Sequence, residues 1–351
     1  MTRFDLQSRL LPAPKKGGFR MEGYWVWDGS TIRGEDGRYH LFASRWPKKS
    51  RMHPGWLFYS EIVRASSDTI EGPYEFEEVV LGPGDKSYFD GRMTHNPSIR
   101  KVGDTYLLFY IGVTYAVDPP DEPDWMGDES TSHANPWVRE IWTRKRIGLA
   151  TSRSVFGPWK RSDEPILKPR IGKWDRGTTS NPAPWVMPDG SIYLAYKSSY
   201  PTRGTQLAPF NIGIARAPSW QDPFERVTDE PVVPHPHPDS FVEDPFLWHA
   251  DRSFHMIMKD QSGHITGDEG SGIYMASEDG KHWEMGDPPL AYTRKLTWDT
   301  GESEEVSNFE RPQLLFNESG EMTHMIGATA RGQGLNKATE TCVTIVPLKS
   351  S

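Results

Sequence analysis

Four carboxylates from distant points of the chain, Asp28, Glu243, Asp244 and Glu310, each stand one or two residues before a glycine or proline at the opening of a short apolar strand. Acids placed this way can give or take protons on a bound molecule if the fold brings them together. Groups that would bind rather than react accompany them. Trp27, His95, Asn96, Asn181 and Arg311 occupy matching openings, and the two amides offer both donors and acceptors. Lys197 and Lys259 end apolar strands, where an unpaired ammonium would be costly, so they are expected to pair with inward carboxylates. No histidine-acid cluster has the spacing of a zinc site, and no metal ligand is assigned.

The elements that must position these residues form a repeat. The openings are Trp27-Asp28-Gly29, His95-Asn96-Pro97, Ser180-Asn181-Pro182, Glu243-Asp244-Pro245 and Glu310-Arg311-Pro312, and their central residues lie 68, 85, 63 and 67 positions apart. Such gaps suit a four-stranded blade plus its loops, so the chain reads as all-β, a five-bladed β-propeller with four-stranded antiparallel blades around a central funnel. The opening strand of each blade would line the axis and carry its polar tip to one spot.

A second repeat agrees. Ile62-Val63-Arg64-Ala65, Ile147-Gly148-Leu149-Ala150 and Ile212-Gly213-Ile214-Ala215 are each followed, nine residues after the alanine, by Tyr74, Trp159 and Phe224 in turns built on Gly-Pro or Asp-Pro; a looser copy ends at Trp283. These aromatics are expected to pack between blades. In blade one the strands are expected over Val26 to Ile32, Tyr39 to Ser44, Trp56 to Ala65 and Tyr74 to Leu81. Either Thr341 to Pro347 or the stretch around Phe19 to Tyr24 would complete a blade and close the ring, since an open propeller exposes sheet edges. Residues 1–351 are read as one catalytic propeller interrupted by an inserted loop at about 113–143, rich in Pro, Asp and Trp, whose Trp125, Trp137 and Trp142 would form a pocket wall or an oligomer contact. A glycine-rich loop, His264 to Gly272, reads as a mobile lid.

Composition narrows the partners. The net charge of −8 argues against nucleic acid, and no segment has the roughly 18 consecutive apolar residues of a membrane helix. The single cysteine, Cys342, allows no internal disulfide, and Met1 to Lys16 lacks the apolar core of a signal peptide, so a cytoplasmic protein is expected, or a periplasmic or secreted one if a leader has been removed. Association into a homo-oligomer is left open.

The five-blade repeat, the blade-one acid and the Glu-x-Pro step of blade four resemble the propeller clan that contains glycoside hydrolase family 43 and its relatives, families 117 and 130, over essentially the whole chain. The resemblance implies an inverting reaction in which Asp28 is the general base and Glu243 the general acid. It places Asn181 where the family has an aspartate that tunes the acid, and an amide cannot raise a neighbouring pKa by its charge. Glu310 is the expected substitute and Asp90 a weaker one. Inversion needs the two carboxyl groups roughly 6.5–9.5 Å apart, with room for a water. The resemblance requires no cofactor but allows a structural calcium in the central channel.

Three readings follow. The first is an exo-acting glycoside hydrolase that removes a terminal sugar from a short plant or algal oligosaccharide. The second is a glycoside phosphorylase, for which Arg92, His95, Lys197 and Arg311 would gather phosphate. The third is a sugar-binding propeller without catalysis, to which the missing blade-three aspartate lends weight.

Overall fold

The computed structural model describes residues 4–116, 118, 135–200, 208–237 and 239–350. Five antiparallel sheets account for nearly all its regular structure. The first contains β1 (Tyr24–Arg33), β2 (Tyr39–Pro47), β3 (Glu61–Ser67) and β4 (Glu75–Leu81), and the second β5 (Met93–Val102), β6 (Thr105–Val113), β7 (Arg146–Ser152) and β8 (Lys160–Arg161). β9 (Ser180–Val186), β10 (Ile192–Ser198), β11 (Asn211–Ala217) and β12 (Glu225–Arg226) make the third. β13 (Val242–Ala250), β14 (Ser253–Asp260), β15 (Gly272–Ser277) and β16 (Glu284–Tyr292) make the fourth. A small ribbon, β17 (Lys295–Thr297) with β18 (Ser303–Glu305), leads into the fifth sheet of β19 (Asn308–Phe316), β20 (Met322–Gly332) and β21 (Ala338–Pro347).

The first strands of the sheets touch in turn: β1 meets β5, β5 meets β9, β9 meets β13, β13 meets β19, and β19 returns to β1. The molecule is therefore a closed five-bladed propeller. Both expected closing segments take part, because Phe19 exchanges two backbone hydrogen bonds with Val343 of β21, at 3.0 and 2.9 Å, and so covers the edge of the three-stranded fifth sheet. This seam explains why the first opening carries Gly29 where the others carry proline: a Cβ there would lie 2.6 Å from a methyl of Val343.

The aromatics of the second repeat lie between sheets as expected. Tyr74, Phe224 and Trp283 are buried, and Trp159 sets its edge on Phe42. One strand assignment needs correction. Trp56 to Ala65 is not a single strand, because α1 (Trp56–Tyr59) precedes β3. Trp56, Leu57 and Phe58 are consecutive and all buried in one cluster, which alternating strand faces could not achieve.

Two loops shape the mouth of the funnel. Of the insertion, residues 117 and 119–134, Trp125 included, lie outside the described residues. Its end forms α2 (Pro136–Thr143), where the Asn135 side chain accepts hydrogen bonds from the amides of Trp137 and Val138 and so caps the helix. The glycine-rich loop is not the free lid expected from its composition. The buried Asp260 carboxylate accepts from the amides of Gly263, Ile265 and Thr266, which ties the turn to the end of β14.

Candidate active site

The five openings share a local geometry that sorts their side chains. Asp28, Asn96, Asn181, Asp244 and Arg311 all have positive φ, between 54° and 64°, and the ladder register shifts at or opposite each of them. Asp and Asn tolerate this left-handed conformation. The bulge sends the residue before it and the bulged residue in different directions. Trp27, His95, Glu243 and Glu310 line a cavity of about 760 Å³ at the mouth of the funnel. Asp28, Asn96, Asn181 and Asp244 instead line a chamber of about 20 Å³ on the axis beneath it, and Arg311 borders both.

This division corrects part of the sequence reading. All five tips converge, but the structure does not bring Asp28, Asn96, Asn181 or Asp244 to the wall of the large cavity. Asp90 is elsewhere, accepting from Tyr110 and Arg161 of the second sheet. Arg92 pairs with Asp118 and does not line the cavity.

One wall of the cavity is aromatic. Trp27, Trp46, Trp56, Trp142, Phe210 and Phe241 face inward, with Trp56 stacked on His95 at 4.6 Å. Of these, Trp27 and Trp142 were legible as candidates. Trp46, Trp56 and the two phenylalanines carried no motif, and α1 and α2 deliver Trp56 and Trp142 only because α1 packs beside β2 and β5 and α2 packs against α1.

Ionic groups adjoin these rings, with Lys197 Nζ 4.6 Å from the Phe210 ring centre, and both lysines pair with carboxylates as expected. Lys197 Nζ lies 2.5 Å from Glu243 Oε2, and Lys259 Nζ lies 3.5 Å from Glu243 Oε1 while also pairing with Glu310. Asn308 donates to Glu310 at 2.7 Å. Burial alone would raise the Glu243 carboxyl, but Lys197, Lys259 and Arg311 together outweigh it and hold the group far below the usual carboxylate range. Burial lowers Lys259, yet Glu310, Glu243 and Asp244 prevail and its ammonium is raised. Behind the aromatic wall lies Lys145, which the sequence did not single out: it is buried, with Nζ 3.2 Å from the Trp142 ring centre, and burial with the charge of Lys197 pushes it well down.

Asp28 sits under the floor. Its Oδ2 accepts from Ser44 Oγ at 2.7 Å and from the Asn96 amide at 3.0 Å, and Oδ1 lies 3.1 Å from Arg311 Nε. His95 connects floor and pocket, with Nε2 3.3 Å from Asp28 Oδ2 and Nδ1 2.8 Å from Ser60 Oγ. Burial lowers this imidazole to about 4, with Asp28 opposing and Arg311, Lys145 and Lys197 adding, so it is neutral at pH 7. Asp244 is the reverse case. Burial pushes its carboxyl up to about 7, against Arg311 and with the help of Glu243 and Glu310.

Comparison with protein-family models gives no match, and neither does comparison with curated proteins. Solved structures do match along nearly the whole chain. A family 117 glycoside hydrolase of the marine bacterium Zobellia galactanivorans superposes with a TM-score of 0.62 at 18% identity, covering 99% of this chain and 89% of that one. A family 43 β-xylosidase/α-arabinofuranosidase from a compost metagenome gives 0.57 at 15%, over 97% and 96% of the two chains. An endo-arabinase of Bacteroides thetaiotaomicron gives 0.55 at 11%, over 93% and 94%. At these identities the likeness shows a shared five-bladed fold.

Proposed function

We propose that this chain is a glycoside hydrolase that removes a terminal sugar from a short oligosaccharide, with Glu243 as the group that exchanges a proton with the substrate. The observation that carries the reading is the cavity itself, which Glu243 lines together with four tryptophans. Aromatic faces suit the C–H faces of a sugar ring, and the convergent polar groups suit its hydroxyls. The propeller's likeness to glycoside hydrolases of families 43 and 117 supports the same class.

In this reading Glu243 is the acid and Asp28 the base. The free pocket holds Glu243 ionised, so a sugar oxygen that enters between Glu243 and Lys197 must separate the pair; burial then favours the protonated form, and proton uptake accompanies binding. Asp28 would activate a water that reaches it past His95 and Arg311. His95 keeps Asp28 in place and Lys197, Lys259 and Asn308 bind hydroxyls once their resting partners are displaced.

One observation favours a second arrangement. Glu243 and Glu310 contact the same ammonium, so they stand closer together than the roughly 6.5–9.5 Å of an inverting pair and nearer the roughly 5–5.5 Å of a retaining one. The stereochemistry of the product decides. A panel of aryl glycosides and plant and algal oligosaccharides, followed by NMR of the first product formed, is expected to give the inverted anomer without added phosphate. The retained anomer would transfer the second role from Asp28 to Glu310. Dependence on phosphate would mean phosphorolysis, and no turnover of any substrate together with saturable sugar binding would leave only a binding propeller. Asp28→Asn and Glu243→Gln are each expected to lower turnover at least about a hundredfold; near-normal rates in both would remove the assignment.

A further inference from the structure

The relatives' fold allows a calcium ion on the propeller axis, and the five residues that face this axis do not suit one. Calcium takes six to eight oxygen ligands at roughly 2.3–2.6 Å. Here the axial chamber has about 20 Å³, room for a single water molecule, and a guanidinium projects into its centre. Arg311 Nη1 donates to Asn96 Oδ1 at 2.8 Å and lies 2.8 Å from Asp244 Oδ1, while Nε lies 3.1 Å from Asp28 Oδ1. One side chain of blade five thus grips blades one, two and four, and Asn181 of blade three reaches the same Asp244 oxygen at 2.5 Å.

We propose that Arg311 is the built-in axial cation of this propeller: its guanidinium takes the place and the bonds that a metal ion would have, so that the fold and the pocket floor need no metal. The inference rests on the axial geometry alone and holds whether or not the pocket cleaves glycosides.

Three observations carry it. Arg311 adopts φ of 58°, a conformation that Asp and Asn tolerate at the other four tips but that disfavours a long side chain with a branched head, so the arginine is kept at this position against its backbone preference. Its delocalised charge lies within 3.1 Å of one carboxylate and 2.8 Å of another while Nη1 donates to an amide oxygen, so a single side chain supplies the positive charge for both axial acids. The charge is also nearly met already, because burial pushes the Asp244 carboxyl up to about 7. Three cations, Arg311, Lys197 and Lys259, contact the four carboxylates Asp28, Asp244, Glu243 and Glu310. A divalent ion would overfill that balance with the arginine present and restore it with the arginine gone. The oxygens to receive such an ion are already in place, since Asp28 Oδ1, Asn181 Oδ1 and Asp244 Oδ2 are buried without hydrogen-bond partners among the described residues.

Thermal unfolding of the full chain after EDTA treatment, with and without millimolar calcium, and calcium titration by calorimetry test this directly. The wild-type protein is expected to shift by less than about 1 °C and to bind no calcium. Loss of stability in EDTA, restored by one calcium per chain, would overturn the proposal. Arg311→Asn keeps a residue that accepts positive φ while removing the guanidinium, and loss of the buried counter-ion is expected to lower Tm by about 5–10 °C in EDTA. Calcium should recover most of that loss in the variant. A variant as stable as the wild type in EDTA, or one folded but indifferent to calcium, would show that the guanidinium does not have this role; if the variant cannot be obtained in soluble form, the wild-type titration decides alone.

Discussion

Glu243 and Asp244 are neighbours on β13, yet they occupy different chambers and have opposite charge behaviour. Glu243 looks up into the 760 Å³ cavity, where two ammonium groups hold it ionised; Asp244 looks down into the axial chamber, where burial pushes it up to about 7. Both are carboxyls, both are withdrawn from water, and both feel Arg311. What separates them is the count of cations within reach: Lys197 and Lys259 contact Glu243, whereas Asp244 shares Arg311 with Asp28. The difference teaches that a single positive-φ residue can send adjacent acids to separate chambers, one lining the wide cavity and one holding the blades together.

The largest expected effect breaks this comparison by activity. Glu243→Gln should lower kcat/KM by about a hundredfold or more, whereas Asp244→Asn, which keeps the backbone conformation and most of the hydrogen bonds, should cost less than about tenfold. Steady-state rates on any substrate that is turned over check it, and a reversal of the two would place the proton-exchanging group on the axis.

A second test separates the buried groups by stability. The folded-state value of His95 is lowered from 6.5 to about 4, so the unfolded chain binds a proton that the folded one does not, and stability is lost as pH falls from about 6.5 to about 4. Asp244 is raised from 3.8 to about 7, so the folded chain keeps a proton that the unfolded one releases, and stability is lost as pH rises over that range. A tenfold change in proton affinity is worth about 1.4 kcal/mol, so each group contributes roughly 3–5 kcal/mol to the pH dependence, and in the wild type the two oppose one another. Urea unfolding from pH 4 to 7 should therefore show Asp244→Asn gaining stability as pH rises and His95→Gln losing it. Equal profiles in the two variants would mean that neither group titrates as its burial requires.

The smallest effect sharpens the role of the lysines. Lys197→Met removes one of the charges that hold Glu243 down, so the limb on which kcat/KM falls with rising pH should move up by about one pH unit if Glu243 is the acid. An unmoved limb would assign it to another group.

Much of this was legible in the chain. The spacing of Asp28, Asn96, Asn181, Asp244 and Arg311 announced five blades, and a polar residue followed by Gly or Pro at each opening announced a common axis. Lys197 and Lys259, each ending an apolar strand, announced their carboxylate partners. Trp56 and Phe210 were hidden, because an apolar residue that lines a cavity has the same local pattern as one that fills a core. Lys145 was hidden too: its burial beside Trp142 depends on where α2 comes to rest.

The sequence by itself determined the number of blades, the strands that open them and the set of polar residues at their tips, because repeats and alternation are local properties that every register of the fold must respect. Only the tertiary structure decided which tip residues line the wide cavity and which face the axis. That choice depends on the left-handed backbone conformation at each bulge and on how many charges from other blades converge there, and neither is settled until the ring has closed.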